Sequence, residues 1–159
     1  MLFKIYTDGG FSFKNSIGSW AFVVLNDDAT QRIERSGIVE HHKQTSQVAE
    51  IIAILNAMSF TFEQLCSSNS RISETVQLKI YSDSQYCVNT LNQWMHGWAR
   101  KNWHVGKENL DLWKPMYDLK SKFHKVEAIW VKGHSGVEFN ELVDKLNQKA
   151  LKEHLGRKV

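Results

Sequence analysis

The chain has 159 residues, of which 42% are hydrophobic and 23% are charged, and its formal net charge is +3. This composition is ordinary for a soluble globular protein, and the length fits a single domain over residues 1–159 with a sizeable core. The sequence lacks a run of about 18 apolar residues, which argues against a membrane span, and the net charge is too small to indicate a class of partner.

The cysteines and the N-terminus indicate a compartment. Cys66 and Cys87 lack the spacing of a metal site and form no disulfide framework, so we expect reduced thiols. Lys4 and Asp8 stand where a signal peptide would need an apolar core. The sequence therefore predicts a cytoplasmic protein.

The first predicted element is a β-strand over residues 3–8. Apolar and polar side chains alternate there, and the run stops at Gly9 and Gly10, a glycine pair typical of a tight turn. We therefore expect Asp8 to lie at the C-terminal end of this strand and residues 11–18 to form a loop. A carboxylate buried at such a position needs a cation, a hydrogen-bond donor or water.

Two more strands and a helix follow. A buried strand over residues 19–25 and a more exposed one over 31–39 predict an antiparallel meander with the first strand. From residue 45 to residue 62 the apolar side chains recur at helical spacing, and Thr45 or Ser46 is suited to cap that helix.

The second half of the chain alternates strands and helices. In chain order the sequence predicts a polar loop over 66–74, a strand over 76–81, a helix from Tyr86 into a tryptophan-rich segment, a helix over 110–123 with Pro115 in its first turn or at a kink, a strand over 126–131 and a last helix over 138–155. Three hairpin strands followed by α-β-α-β-α predict one mixed sheet flanked by helices.

Three carboxylates stand out by their positions. Asp8 and Asp83 end two different predicted strands, and ligands of α/β sheets gather where strands end. Glu50 is the only charged residue between residues 44 and 62, on a helix that is otherwise nearly apolar. Taken singly, each has an ordinary alternative, as a turn aspartate or as a helix residue that meets water.

The last helix and the loop before it add two candidates. Asp144 shares a helix face with Asn140 and Asn147, because residues three or four apart are neighbours. His134 lies in a loop between two glycines, ten residues before Asp144. A solvent-facing aspartate and a surface histidine are the alternatives for these two.

A group of carboxylates has a chemical reason to bind cations. Carboxylates that share a pocket raise one another's pKa unless a cation is present. Mg²⁺ prefers a few carboxylates, waters and phosphate oxygens, and two such ions about 3.5–4 Å apart can activate a water and stabilise the leaving oxygen of a phosphodiester. The sequence has neither paired cysteine ligands nor an H-E-x-x-H motif, which argues against zinc.

Four short motifs occur in an order that resembles a known family. They are Tyr6-Thr7-Asp8-Gly9-Gly10, Thr45-Ser46-Gln47-Val48-Ala49-Glu50, Ser82-Asp83-Ser84-Gln85, and Lys132-Gly133-His134-Ser135-Gly136 followed by Asn140 and Asp144. Over roughly residues 2–151 the sequence resembles type 1 ribonuclease H. The resemblance implies an α/β fold with a five-stranded mixed sheet of order 3-2-1-4-5 and helices on both faces. It also implies Mg²⁺-dependent hydrolysis of the RNA strand in RNA–DNA hybrids, leaving 5′-phosphate and 3′-hydroxyl ends.

The resemblance also implies roles for individual residues. The carboxylates implied to bind two Mg²⁺ ions, with Mn²⁺ as a substitute, are Asp8, Glu50, Asp83 and Asp144. Asp8 would bridge both ions, and His134 would assist proton transfer or product release. Residues implied to contact the DNA phosphate are Thr45 and Asn109. The residues implied to read the 2′-hydroxyls of the RNA strand are Ser46, Gln47, Glu50 and Gln85. Asn140 is implied to bind the substrate as well.

Residues 94–107 form a basic, aromatic segment without an acidic residue. Trp94 and Trp98 share a helix face, and Arg100 and Lys101 follow. One interpretation is a small satellite core formed by the rings; the other is nucleic-acid binding, in which cations meet phosphate and rings pack on sugars. We call residues 94–107 the basic handle, because the segment resembles the basic protrusion, or handle, of type 1 enzymes, which grips the DNA strand.

Two other functions stay open on the sequence alone. A different nuclease on the same architecture, such as a DNA exonuclease or a resolvase, is one, and the basic handle and the histidine loop argue against it. A hybrid-binding module without catalysis is the other, and the four intact carboxylates argue against it. The family implies a monomer with no obligate protein partner.

The sequence departs from the family's pattern at three places. Residues 11–18 lack the usual glycine- and proline-rich sequence, Ser46 stands where asparagine is usual, and Asn147 and Gln148 replace small residues that often follow the last aspartate. None of these departures removes an implied metal ligand.

Overall fold

The computed structural model describes residues 1–66, 73–133 and 138–156. The strands are β1 (Leu2–Ser12), β2 (Ile17–Asn26), β3 (Arg32–Ile38), β4 (Gln77–Ser82) and β5 (Lys125–Trp130). The helices are α1 (Ser46–Phe60), α2 (Gln85–Asn89), α3 (Met95–Arg100), α4 (Leu110–Lys120) and α5 (Glu138–Gly156). Short π-helical segments extend α1 over Thr61–Leu65 and join α2 to α3 over Thr90–Trp94, and a 3₁₀ turn over Ser73–Thr75 precedes β4.

The five strands form one mixed sheet in the order β3-β2-β1-β4-β5. The pairs β1–β2 and β2–β3 are antiparallel, whereas β1–β4 and β4–β5 are parallel. The predicted antiparallel meander and the mixed sheet of order 3-2-1-4-5 are therefore confirmed.

Strand β2 shows how the sheet is covered on both faces. Phe22 and Val24 belong to the large core that the sheet forms with α1 to α4, whereas Ala21 and Val23 pack with Val143 of α5 on the other side. Successive residues of a strand point to opposite faces, so a continuous apolar run is what a strand buried on both faces requires. Helices on both faces are thus confirmed.

Helix α1 is the central helix of the larger core. The Thr45 side chain caps it, because the Thr45 Oγ1 accepts a hydrogen bond of 3.1 Å from the Val48 N–H. By length and composition alone, Ser46–Leu65 would be long and apolar enough to cross a membrane, yet half of that apolar stretch is buried inside this fold, as in any core helix.

The glycine pair after Asp8 does not form a turn, so that prediction was wrong. Strand β1 continues through Gly9 and Gly10 to Ser12, and only residues 13–16 separate it from β2. A Cβ added at Gly9 would lie 2.3 Å from the backbone N of Glu50, and one added at Gly10 would lie 2.6 Å from the Asn147 Nδ2. The two glycines therefore let α1 and α5 approach the strand closely, which is the other common reason for glycine in a strand.

Helix α4 differs from its prediction in two details. It ends at Lys120, before the predicted residue 123, and Pro115 lies in its second turn. Of the two positions predicted for this proline, the first turn is therefore excluded.

Candidate active site

The parallel pairing of β1 and β4 brings Asp8 beside Asp83. Tyr6 and Tyr81 are direct partners in that pairing, and their rings stack with centroids 4.5 Å apart. Side chains two residues further along neighbouring strands return to the same face, which is where Asp8 and Asp83 lie. Asp83 directly follows β4 as predicted, whereas Asp8 lies inside β1, beyond the part that pairs with β4.

Glu50 reaches this position from α1. Its Oε1 accepts a hydrogen bond of 2.9 Å from the Gly9 N–H, where the helix backbone comes close to the strand. Its Oε2 is buried and lacks a hydrogen-bond partner among the residues that the structure describes. One carboxylate oxygen from each of Asp8, Glu50 and Asp83 lies within 4.8 Å of the other two.

Asp144 of α5 completes a recess of about 340 Å³. Its carboxyl group lies within hydrogen-bonding range of Asp8, and its Oδ2 accepts a hydrogen bond of 3.2 Å from the Gln148 Nε2. The four predicted carboxylates, which come from separate parts of the chain, therefore line one concave surface. We call it the acidic recess, defined by Asp8, Glu50, Asp83 and Asp144.

Burial and crowding change the acidity of two of these carboxylates, Asp8 and Glu50. Burial, followed by the charge of Asp83, raises the pKa of Asp8 to about 8, and the hydrogen bond from Asn147 opposes the rise. Burial, followed by the charges of Asp8 and Asp83, raises the pKa of Glu50 well above its ordinary value. An all-oxygen donor set of this kind suits Mg²⁺, and the unsatisfied Glu50 Oε2 is the buried acceptor that a cation would complete. The residues present therefore fit a hard divalent cation.

Two other predicted residues belong to this part of the molecule. Asn140 is buried and lines a narrow part of the site together with Asp8, Asp83 and Asp144. His134 lies outside the described residues. The residue before it, Gly133, is close to the acidic recess, because a Cβ added there would lie 3.1 Å from the Asp83 Oδ2.

The residues predicted to meet the DNA phosphate lie near the N-termini of α1 and α4. Thr45 caps α1, and Asn109 immediately precedes α4 in a left-handed conformation with φ of 63°. Lys43, which the sequence reasoning missed, donates a hydrogen bond of 3.3 Å to the Asn109 Oδ1. The Asn109 Nδ2 is buried and without an acceptor in the described part of the chain, so this amide has a free donor.

The basic handle divides into buried and exposed parts. Trp98 and Trp103 pack against the larger core, whereas Trp94 remains 44% exposed and Arg100 and Lys101 lie at the surface. Two of the rings therefore join the larger core instead of forming a satellite core of their own, and the third ring is exposed. A groove of about 270 Å³ beside the handle is lined by Gln47, Tyr86, Trp94, Trp98, Gly106, Lys107 and Glu108.

The predicted RNA-strand residues on helix starts are exposed. Ser46 and Gln47 begin α1, and Gln85 begins α2. Gln47 joins Trp94 and Trp98 in lining the groove, which connects the predicted RNA-strand and DNA-strand residues. Gln85 does not line that groove.

Asn147 is the residue at this site that the sequence reasoning undervalued. The sequence indicates only that it replaces a small residue and that it neighbours Asp144 on the helix face. Its Nδ2 donates a hydrogen bond of 3.1 Å to the Asp8 Oδ2. The spacing along α5 indicated the face, but the bond joins residues at opposite ends of the chain, which no local pattern reveals.

Comparison with known proteins adds the family. Residues 2–152 match the RNase H family. The chain is 31% identical over 153 residues to the ribonuclease H of Treponema denticola, covering 92% of this chain and 94% of that protein. It is also 31% identical over 157 residues to the ribonuclease H of Clostridium botulinum, with 94% and 95% covered.

Solved structures share the fold. The N-terminal RNase H domain of a Mycobacterium tuberculosis protein matches with a TM-score of 0.72 and 18% identity over 99% of both chains. RNase H1 of the halophilic archaeon Halobacterium salinarum matches with a TM-score of 0.69 and 17% identity, covering 96% of this chain and 99% of that one. At such low identities these matches establish the architecture only.

Proposed function

The chain belongs to the ribonuclease H family, and on that premise we propose that it is an endoribonuclease that hydrolyses the RNA strand of RNA–DNA hybrids, leaving 5′-phosphate and 3′-hydroxyl ends. The observation that supports this most directly is the convergence of Asp8, Glu50, Asp83 and Asp144 on one recess. A module that only bound hybrids would gain nothing from such a group, because carboxylates without a cation repel phosphate.

The acidic recess would hold the family's divalent ions, which we propose to be two Mg²⁺ with Mn²⁺ as a substitute. When bound, such a pair supplies an activated water and stabilises the leaving oxygen of the phosphodiester. The chain's own groups orient the oxygen ligands: the Gly9 N–H holds Glu50, and the Trp130 Nε1 holds the Asp83 backbone through a 3.1 Å hydrogen bond to its carbonyl. His134 is proposed to assist proton transfer or product release.

One end of the substrate site would bind a phosphate of the DNA strand. Thr45 and Asn109 are the proposed contacts, and the free Asn109 Nδ2 supports this assignment because a phosphate oxygen would satisfy it. Lys43 adds a positive charge at the same place, since its Nζ already contacts the Asn109 Oδ1.

The remaining proposed contacts divide between the two strands. The DNA strand would lie on the basic handle, with its phosphates near Arg100 and Lys101 and its sugars against Trp94 and Trp98. The RNA strand would lie on the acidic side, where its 2′-hydroxyls distinguish it from DNA. The side chains proposed to contact it there are Ser46, Gln47, Glu50 and Gln85. Asn140 is proposed to contact the substrate as well.

We propose further that residues 1–159 act as one domain and as a cytoplasmic monomer without an obligate protein partner. Cys66 and Cys87 are both buried and both free thiols, which agrees with a reducing compartment. Light scattering coupled to gel filtration would measure the oligomeric state, and a dimer would contradict this part of the proposal.

Cleavage of a labelled hybrid tests the function. We expect Mg²⁺-dependent internal cuts in the RNA strand of a hybrid, 5′-phosphate products, and no cutting of RNA–RNA or DNA–DNA duplexes of the same sequence. EDTA should abolish the activity. Cleavage of duplex DNA would indicate a different nuclease, and binding without cleavage would indicate a hybrid-binding module.

A further inference from the structure

The amide of Asn147 occupies a site that is shaped to receive it. Asn147 is only 4% exposed, one turn after Asp144 on α5. A Cβ added at Gly10 would lie 2.6 Å from the Asn147 Nδ2, so the absence of a side chain at Gly10 is what lets the amide reach the strand. There the Nδ2 donates its 3.1 Å hydrogen bond to the Asp8 Oδ2.

This arrangement is a poor one for stability alone. The hydrogen bond to Asp8 stabilises the contact between α5 and β1, but a buried polar atom left unsatisfied destabilises the fold by a comparable amount. The Asn147 Oδ1 is such an atom, since it is buried and unpartnered within residues 1–66, 73–133 and 138–156. The two terms nearly cancel, so a structural link between α5 and β1 does not explain an asparagine at this position.

The hydrogen-bond partner of the amide, Asp8, explains why an asparagine stands at position 147. Asp8 has carboxylate neighbours in Glu50, Asp83 and Asp144, and the Asn147 amide brings a donor to it without adding another negative charge. When a donor fixes one oxygen of a carboxylate, the remaining lone pairs of that carboxylate keep a defined orientation. Groups that orient metal ligands in this way commonly affect metal affinity strongly.

We propose that Asn147 is a positioning residue that fixes the Asp8 carboxylate for divalent-metal binding. The proposal rests on the metal site of the proposed function. It concerns the affinity of that site and not the chemistry performed there.

Gln148 offers a matched comparison within the same helix. Its Nε2 also donates to a recess carboxylate, at 3.2 Å from the Asp144 Oδ2, but that hydrogen bond is exposed to solvent. Water can replace an exposed donor, whereas it cannot easily replace one that is buried. The two amides therefore differ in burial while sharing their chemistry.

The test measures Mg²⁺ and Mn²⁺ binding by calorimetry at one pH, without nucleic acid, for the unmutated protein, Asn147→Ala, Asn147→Leu and Gln148→Ala. We expect both Asn147 variants to weaken metal binding about 10-fold or more, and Gln148→Ala to change it by less than about 2-fold. The leucine variant keeps the volume but removes the donor, so its melting temperature without metal should equal or exceed that of the unmutated protein.

A kinetic readout separates positioning from damage to the fold. With hybrid substrate, the Mg²⁺ concentration for half-maximal rate should rise in Asn147→Leu, while kcat at saturating Mg²⁺ should be largely recovered. Metal affinities within about 2-fold of the unmutated protein in both Asn147 variants would overturn the role of Asn147 alone. Failure of the unmutated protein to bind either metal would instead overturn the proposed metal site.

Discussion

The acidic recess and the basic handle are built in opposite ways. The recess draws its carboxylates from β1, α1, the end of β4 and α5, and it is formed only when these elements pack together. The handle comes from one continuous segment, residues 94–107, with its cations at the surface. Substitutions at the recess should therefore act on turnover and on the stability of the fold, whereas substitutions of the handle's cations should act on substrate binding.

The acidic recess and the basic handle also differ in how their charges are placed. Burial and the charges of neighbouring carboxylates raise the pKa of Asp8 and of Glu50, and the recess stays crowded without a cation. The handle's cations face water, where they are well solvated, and on a phosphate backbone they would release the counterions condensed there. A phosphate backbone on the handle would bring further negative charge towards the recess, and the proposed metal ions would compensate that charge.

The largest expected effect is the loss of turnover in Asp83→Asn. The substitution removes one proposed metal ligand and one negative charge, so kcat should fall by about 1,000-fold or more, while hybrid binding should stay the same or tighten. Single-turnover cleavage and fluorescence anisotropy would measure the two quantities. Asp27→Asn, in the exposed β2–β3 turn, is the matched control. Normal cleavage by Asp83→Asn would show that the site is assigned wrongly.

The next effect is a pH dependence of stability in the metal-free protein. The pKa of Asp8 is about 8 in the folded protein against an ordinary value of 3.8, so between those values the folded state binds more protons than the unfolded state. Asp8 therefore makes the free energy of unfolding fall as the pH rises from about 4 to 8, by at most about 1.4 kcal/mol per pH unit.

Urea unfolding at pH 5, 6, 7 and 8 in EDTA would measure this trend. In Asp8→Asn the decline should be shallower, because the variant lacks one of the crowded carboxylates. Saturating Mg²⁺ at pH 8 should restore stability to the unmutated protein by binding the folded state. Equal slopes for the two proteins would show that Asp8 does not titrate as the crowded geometry indicates.

The third prediction compares the effect on stability of adding a methyl group at a glycine beside the acidic recess and at a glycine of the basic handle. In Gly9→Ala the new methyl group would lie 2.3 Å from the Glu50 backbone N, and we expect a loss of about 1–3 kcal/mol in the free energy of unfolding. In Gly106→Ala, on the handle, the added Cβ meets nothing within 4 Å, and a change within about 0.5 kcal/mol is expected. Equal losses in urea unfolding would contradict the difference in packing between the two regions.

The same contrast explains what the sequence could predict. Strands, helices and the exposed basic cluster of the handle follow from local periodicity and composition, and the meander and sheet order agree with the structure. Gly9 and Gly10 were predicted to make a turn, because a glycine pair has the same local signature in a turn and at a close approach of two elements. Only the packing of α1 and α5 against β1 distinguishes these cases.

Residues that act across the fold were hardest to identify. The Asn147 bond to Asp8 and the Lys43 bond to Asn109 join distant parts of the chain. Neither involves a periodic pattern or a motif, so spacing could place one partner on a face without naming the other. His134 stays a prediction that rests on its motif.

The smallest expected effect is on the handle, where Arg100→Ala combined with Lys101→Ala should raise KM about 5- to 10-fold near 0.15 M salt and leave kcat nearly unchanged. Each cation that neutralises one phosphate contributes about 0.9 to the slope of log affinity against log salt, so the double variant should lose a slope of about 2. Lys122→Ala combined with Lys125→Ala, two exposed lysines outside the handle, is the charge-matched control. Because the recess lies on separate elements, a fall in kcat as large as the rise in KM would mean that the two regions are not independent. A flat salt response in the unmutated protein would show that the handle does not bind the substrate.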